Sequence, residues 1–316
     1  MDCWHRLPNK GFFLLLLAAW SILFQLVGNS TRGYIHTSSL FFYLFDAFTA
    51  GGKALLDSEE GYGMLMPLVV LGLFWMKRKE LLGLRLGVWW PGLLLLLSGV
   101  GLHLLGFLCQ QPRISVVGFF VGIYGLTGLA WGQGWLRASF FPFFLFVFCV
   151  PLGTLALPVT FRLRLLVSEL VTVIAHNVLV INVIRHGTSL INPTEGYQYE
   201  VAAACSGIRS MMATLALSVI LAFFSFRTWW KRLLVIGSAF PLALLGNLLR
   251  MLTIVIAAEL GGQQWGNYVH DGGPLDLFSL LPYVPAFAGL LLLEHYLHRP
   301  RAIAPAPEAA SQEGTP

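Results

Sequence analysis

The chain has 316 residues, of which 57% are hydrophobic and only 11% charged, with a mean hydropathy of +0.74. A soluble domain carries nearer a quarter charged residues, so the composition excludes one and indicates an all-α polytopic membrane protein in contact with the lipid bilayer. The net charge of +5 sits in short basic clusters beside apolar runs, a topology signal that gives no continuous patch for a nucleic-acid partner.

Apolar runs near the 20-residue span length occur at roughly 11–28, 62–76, 88–108, 114–131, 138–157, 201–224, 233–258 and 279–297, predicting about eight transmembrane helices. The first follows Arg6 and Lys10 without a small-residue cleavage site after it, and reads as an uncleaved anchor. In the fourth, Gly118, Gly122, Gly125 and Gly128 recur every three or four residues, which lets a helix approach closely, either an internal neighbour or an incoming substrate helix. With eight spans, Arg6, Lys10, Lys77, Arg78, Lys79, Arg85, Arg137, Arg227, Lys231, Arg232, Arg299 and Arg301 all fall on one side, which makes it cytoplasmic and places both termini there. The segment 161–184 is apolar but interrupted by Arg162, Arg164, Glu169 and His176; it is expected as an amphipathic helix on the outer face. Turn residues between two β-prone runs in 187–200 predict a small hairpin capping the outer mouth. Residues 1–298 thus form one integral membrane domain, and the Ala-, Pro- and Glu-rich segment 299–316 is expected to be a disordered cytoplasmic tail.

Chemistry concentrates in the last third. Ala204-Cys205-Ser206-Gly207-Ile208-Arg209 opens one run with a thiol and a guanidinium a helical turn apart. Asn247 and Arg250 lie late in the next run, and His270-Asp271 follows in the loop beyond. Counting at 1.5 Å per residue sets Cys205 roughly 6 Å and Arg250 roughly 13 Å inside the same outer surface, with His270 in the connection above them. A cysteine near a helix N-terminus beside a cation has its thiolate favoured, because both stabilise the anion. Arg250 or free backbone N–H groups could hold a developing oxyanion, and His270 could exchange protons with the leaving and incoming groups. Arg209 would tune the thiol, while Asn247 would orient Arg250 by hydrogen bonding. Plainer readings stand beside these: Cys205 as a small apolar packing residue, His270 as a solvated loop residue, and the arginines as structural cations paired with Glu200, Glu259 or carbonyls. A transporter or channel binding an anionic solute through Arg209 and Arg250 is the alternative from another functional class. Cys3, Cys109, Cys149 and Cys205 contain no paired spacing, so neither a disulfide framework nor a metal site nor a cofactor is expected.

The three blocks at 204–209, 247–250 and 270–273 (His-Asp-Gly-Gly), in that order and spacing, resemble the signature of the exosortase/archaeosortase family, over about Pro151 to Pro285. The resemblance implies a cysteine peptidase or transpeptidase with Cys205, Arg250 and His270 as catalytic residues and Ser206, Gly207, Arg209, Asn247 and Asp271 supporting them. It further implies membrane-inserted protein substrates whose C-terminal sorting signal combines a short motif, a transmembrane helix and a basic tail. The expected acceptor is a lipid or glycan, and the expected location a cell inner membrane with the site facing the periplasm or exterior.

Overall fold

Hydrocarbon offers no partner for backbone N–H and C=O groups, so runs this apolar must satisfy themselves as helices. The computed structural model describes residues 7–29, 37–49, 52, 58, 60–193, 196–200 and 208–298. Its helices are α1 (Lys10–Val27), α2 (Leu40–Thr49), α3 (Tyr62–Leu82), α4 (Gly92–Leu108), α5 (Pro112–Trp131), α6 (Gln133–Phe144), α7 (Leu157–Asn177), α8 (Ile208–Ser225), α9 (Trp229–His270) and α10 (Tyr283–His298). Three short strands, β1 (Ile184–His186), β2 (Ser189–Asn192) and β3 (Tyr197–Glu200), form one antiparallel sheet between α7 and α8. The protein is an all-α membrane protein with this one small outlier among the described residues.

Among those residues, four helical segments are long and apolar enough to cross a membrane: α1, α5, α9 and Leu277–His298. They correspond to the runs expected at 11–28, 114–131, 233–258 and 279–297. The runs at 88–108, 138–157 and 201–224 appear as shorter apolar helices, and that at 62–76 as α3, whose last turns carry Lys77, Arg78, Lys79 and Glu80. α2 has no counterpart in the sequence reading, since ten residues inside the connection 29–61 are too few to register as a span. The tail 299–316 lies outside the described residues.

The glycine stripe of α5 is consumed internally. A Cβ on Gly118 would come within 2.7 Å of Gly99 O, one on Gly125 within 2.6 Å of Leu96 N, and one on Gly122 within 2.0 Å of the Trp20 ring. α4 therefore lies backbone to backbone on α5, and α1 closes the stripe by inserting Trp20, whose Nε1 donates to Phe119 O at 3.0 Å. No room remains there for a substrate helix, so the stripe's second reading is set aside.

α7 is amphipathic as expected. Thr160, Leu163, Val167, Val171 and Ala175, three or four residues apart, are buried, whereas Phe161, Leu166 and Val173 face outward. The buried stripe joins Ile181, Val183, Leu190, Tyr197 and Tyr199 with Met251, Ile254, Val255 and Ala258 in one core, so α7 and the sheet rest on α9. The expected hairpin is β2–β3, in the register Leu190↔Tyr199 and Ile191↔Gln198, and β1 adds a third strand.

α9 does not run in one direction. Straight, its 42 residues would reach about 63 Å, twice a bilayer's hydrocarbon depth. Gly262, at φ 70° and ψ −173°, breaks it into a long limb, Trp229–Gly261, and a short returning limb, Gln263–His270. The return is tight: a Cβ on Gly266 would lie 2.9 Å from Ala258 Cβ and 2.0 Å from Tyr199 Oη. Only glycine adopts the Gly262 conformation without strain, which for another residue costs on the order of 1–3 kcal/mol. Gly262→Val is expected to lower the thermal midpoint of the detergent-purified protein. An unchanged midpoint would show that the elbow tolerates a side chain.

Candidate functional site

The elbow brings together groups that the helix would otherwise separate. Twenty residues of straight helix place Arg250 and His270 about 30 Å apart. Here Arg250 Nη2 donates to the backbone carbonyl of His270 at 3.3 Å. Arg250 forms no ion pair among the described residues, and its Nε is enclosed without a hydrogen-bond partner among them. A guanidinium this sparsely satisfied at the rim of an apolar bundle is suited to receiving an anionic or carbonyl oxygen.

His270 is about one-third exposed. Its Nδ1 lies 3.0 Å from Asp271 Oδ1, and Asp271 itself is open to solvent. With Nδ1 donating to that carboxylate, Nε2 is left as the proton-exchanging atom. Gly272 and Gly273 follow at φ 99° and 62°, and Gly272 O accepts from Phe278 N at 3.0 Å. The His-Asp-Gly-Gly block therefore ends the returning limb in a turn of left-handed residues, the conformation that favours glycine there.

The hairpin straps this limb in place. Glu259 Oε2, just ahead of the elbow, accepts from Asn192 Nδ2 at 2.9 Å and from Tyr197 Oη at 3.0 Å. Just after it, Gln263 Oε1 accepts from the Gln198 backbone N–H at 3.0 Å, and Tyr199 Oη donates to Gln263 O at 3.0 Å. The Tyr199 ring stacks loosely on His270, with centroids 6.5 Å apart. Burial, aided by the Asp271 carboxylate, pushes the Tyr199 phenol above its ordinary pKa, which keeps it a donor throughout the neutral range. Glu259 is thus committed to the hairpin, in place of the arginine pairing that the sequence left open. Glu259→Ala removes an acceptor shared by Asn192 and Tyr197, a loss of about 1.5–3 kcal/mol for a hydrogen bond to a charged group. Glu259→Gln keeps an acceptor and is expected to recover most of the thermal midpoint lost in Glu259→Ala. Equal midpoints for the two variants would contradict the strap.

Arg209 opens α8, half-buried, ahead of the buried Ser210, Thr214 and Ser218. Gly246 lets the start of α10 come close to α9: a Cβ on it would meet Pro282 O at 2.0 Å, one turn before Arg250. Asn247 is buried, lining a small cleft with Leu163, Val167, Met211 and Leu244 between α7, α8 and α9. Cys205, Ser206 and Gly207 lie outside the described residues. The structure therefore joins Arg250, His270 and Asp271 directly. It also adds Tyr199, Glu259 and Gln263, which the sequence reading did not single out as site residues. The alternation Tyr197-Gln198-Tyr199 was the available signal, since both tyrosines fall on one face of a strand.

A family model described as a transmembrane exosortase matches residues 54–284, from just ahead of α3 to the start of α10 and thus well upstream of residue 151. No curated protein and no solved structure matches the chain.

Proposed function

The chain belongs to the transmembrane exosortase family, and from that premise we propose that it is a membrane-embedded cysteine transpeptidase whose nucleophile is Cys205. Its substrates are exported, membrane-inserted proteins ending in a short motif, a transmembrane helix and a basic tail. Residues 1–298 act as one eight-span unit in a cell inner membrane. Both termini are cytoplasmic, and the reactive centre faces the periplasm.

The observation that carries this reading is the contact between Arg250 and His270, with Tyr199, six residues before Cys205 in the chain, stacked on the imidazole.

The Cys205 thiolate attacks the scissile carbonyl, and the C=O electron pair moves onto oxygen, where Arg250 stabilises it. Collapse of that intermediate re-forms the carbonyl and breaks the C–N bond, with the amine leaving under protonation by His270. The thioester is then attacked by water or by an acceptor hydroxyl or amine, which gives its proton to His270 as the sulfur leaves, and the thiolate and the protonated imidazole are restored. Asp271 holds the imidazole in its working tautomer, Arg209 favours the thiolate, and Asn247 steadies Arg250. Ser206 and Gly207 supply backbone N–H groups beside the nucleophile. The acceptor is a lipid or glycan bearing such a hydroxyl or amine.

Hydroxylamine tests the thioester. Co-expression with a signal-bearing substrate, followed by membranes treated with hydroxylamine, is expected to yield substrate cleaved after its motif and carrying a C-terminal hydroxamate, read by intact mass. Cleavage that gives only the free acid at every hydroxylamine concentration would remove the covalent intermediate.

A further inference from the structure

α1, α3, α5 and α6, none of which carries a residue of this site, leave a cleft of about 440 Å³, part of it open outward. Its wall is apolar, including Phe13, Phe74, Trp75, Ile123, Trp131 and Phe143, and Arg78 is the one charged residue among those lining it. Leu71 and Trp75 on its rim are 64% and 63% exposed, so the cleft opens sideways, where the bundle meets lipid. Protein interiors do not leave such volume empty, because unfilled walls forfeit dispersion contacts. Hydrocarbon chains are the filler at hand.

Arg78 determines which lipid. Its guanidinium lies 4.2 Å from the centroid of Trp75, and Nη1 donates to Trp75 O at 2.6 Å, which fixes the charge against the cleft wall. Its neighbour Lys77 is taken up by Ala138 O at 3.0 Å and Glu80 at 3.6 Å, whereas Arg78 has no carboxylate partner among the described residues. Lys79 and Arg85 add further positive charge close by in the chain. Basic pockets between membrane helices select anionic head groups. We propose that this cleft binds one anionic phospholipid, with its acyl chains along Phe13, Phe74 and Ile123 and its phosphate on Arg78. The same charge disfavours a substrate helix as occupant, because a basic tail would approach a basic residue.

The test uses the full chain purified in mild detergent and native mass spectrometry, with dioleoylphosphatidylglycerol and dioleoylphosphatidylcholine at equal concentration. One phosphatidylglycerol should be retained in preference to phosphatidylcholine. Arg78→Gln should reduce that retention about fivefold and Arg78→Lys should largely preserve it. Leu71→Trp, which fills the rim without touching the charge, should reduce retention of both lipids. Thermal midpoints confirm that each variant is folded. Equal retention of the two lipids, retention unchanged in Arg78→Gln, or displacement of the lipid by a sorting-signal peptide would each overturn the proposal.

Discussion

Cys205→Ala is expected to abolish processing, with turnover falling by at least about 10⁴-fold while the protein remains folded and membrane-inserted. The magnitude follows from the role proposed for the thiol: a variant that cannot form the acyl bond loses the pathway as a whole. Whatever acceleration remains would come from Arg250 polarising a bound carbonyl, and water would have to attack unaided. Thermal stability should change little, since a cysteine-to-alanine change removes one small atom. The measurement is intact mass of a co-expressed signal-bearing substrate, with membrane levels of the enzyme matched. Processing at the wild-type rate would remove the nucleophile assignment and return Arg209 and Arg250 to the anion-transport reading.

Arg250→Gln comes next, with an expected loss of 10²–10³ in kcat, the range for deleting one donor to a developing oxyanion. The contact to His270 O also goes, so a control must separate chemistry from loosening. Alkylation of Cys205 by iodoacetamide provides it, because that reaction needs the thiolate but no oxyanion donor. Arg250→Gln should leave the alkylation rate near that of the wild type, whereas Arg209→Gln should slow it at neutral pH by raising the thiol pKa. Arg250→Lys keeps the charge but loses the forked geometry, and should fall between glutamine and arginine. If Arg250→Gln slowed alkylation as much as turnover, its part would be upkeep of the site rather than stabilisation of the transition state.

Much of this arrangement was legible before any coordinates. Apolar length located the principal spans, the interrupted segment after residue 160 announced an amphipathic helix, and the turn residues near Pro193 announced a hairpin. The sequence puts Arg250 and His270 at one outer face by counting along the helix, and the structure brings the two into contact. What stayed hidden was non-local. Gly261-Gly262 marks where an apolar run stops, but nothing in the pattern says that the chain folds back along itself. The glycines of α5 advertise a close approach without naming α4 and Trp20 as the neighbours. Glu259 looked like a partner for an arginine because both lie on one helix, yet its donors, Asn192 and Tyr197, come from more than sixty residues earlier. Such choices are made by packing between distant elements, which local periodicity does not encode.

The elbow at Gly262 also has a meaning in time. Synthesis runs from the N-terminus, so the Cys205 segment and Arg250 are made before His270, and α10 follows later still. A half-made chain holds a thiol and a cation but no proton donor beside them. In the mechanism proposed above, the centre is completed only when the returning limb docks under the hairpin, so the chain is inert until nearly all of its helices are in place.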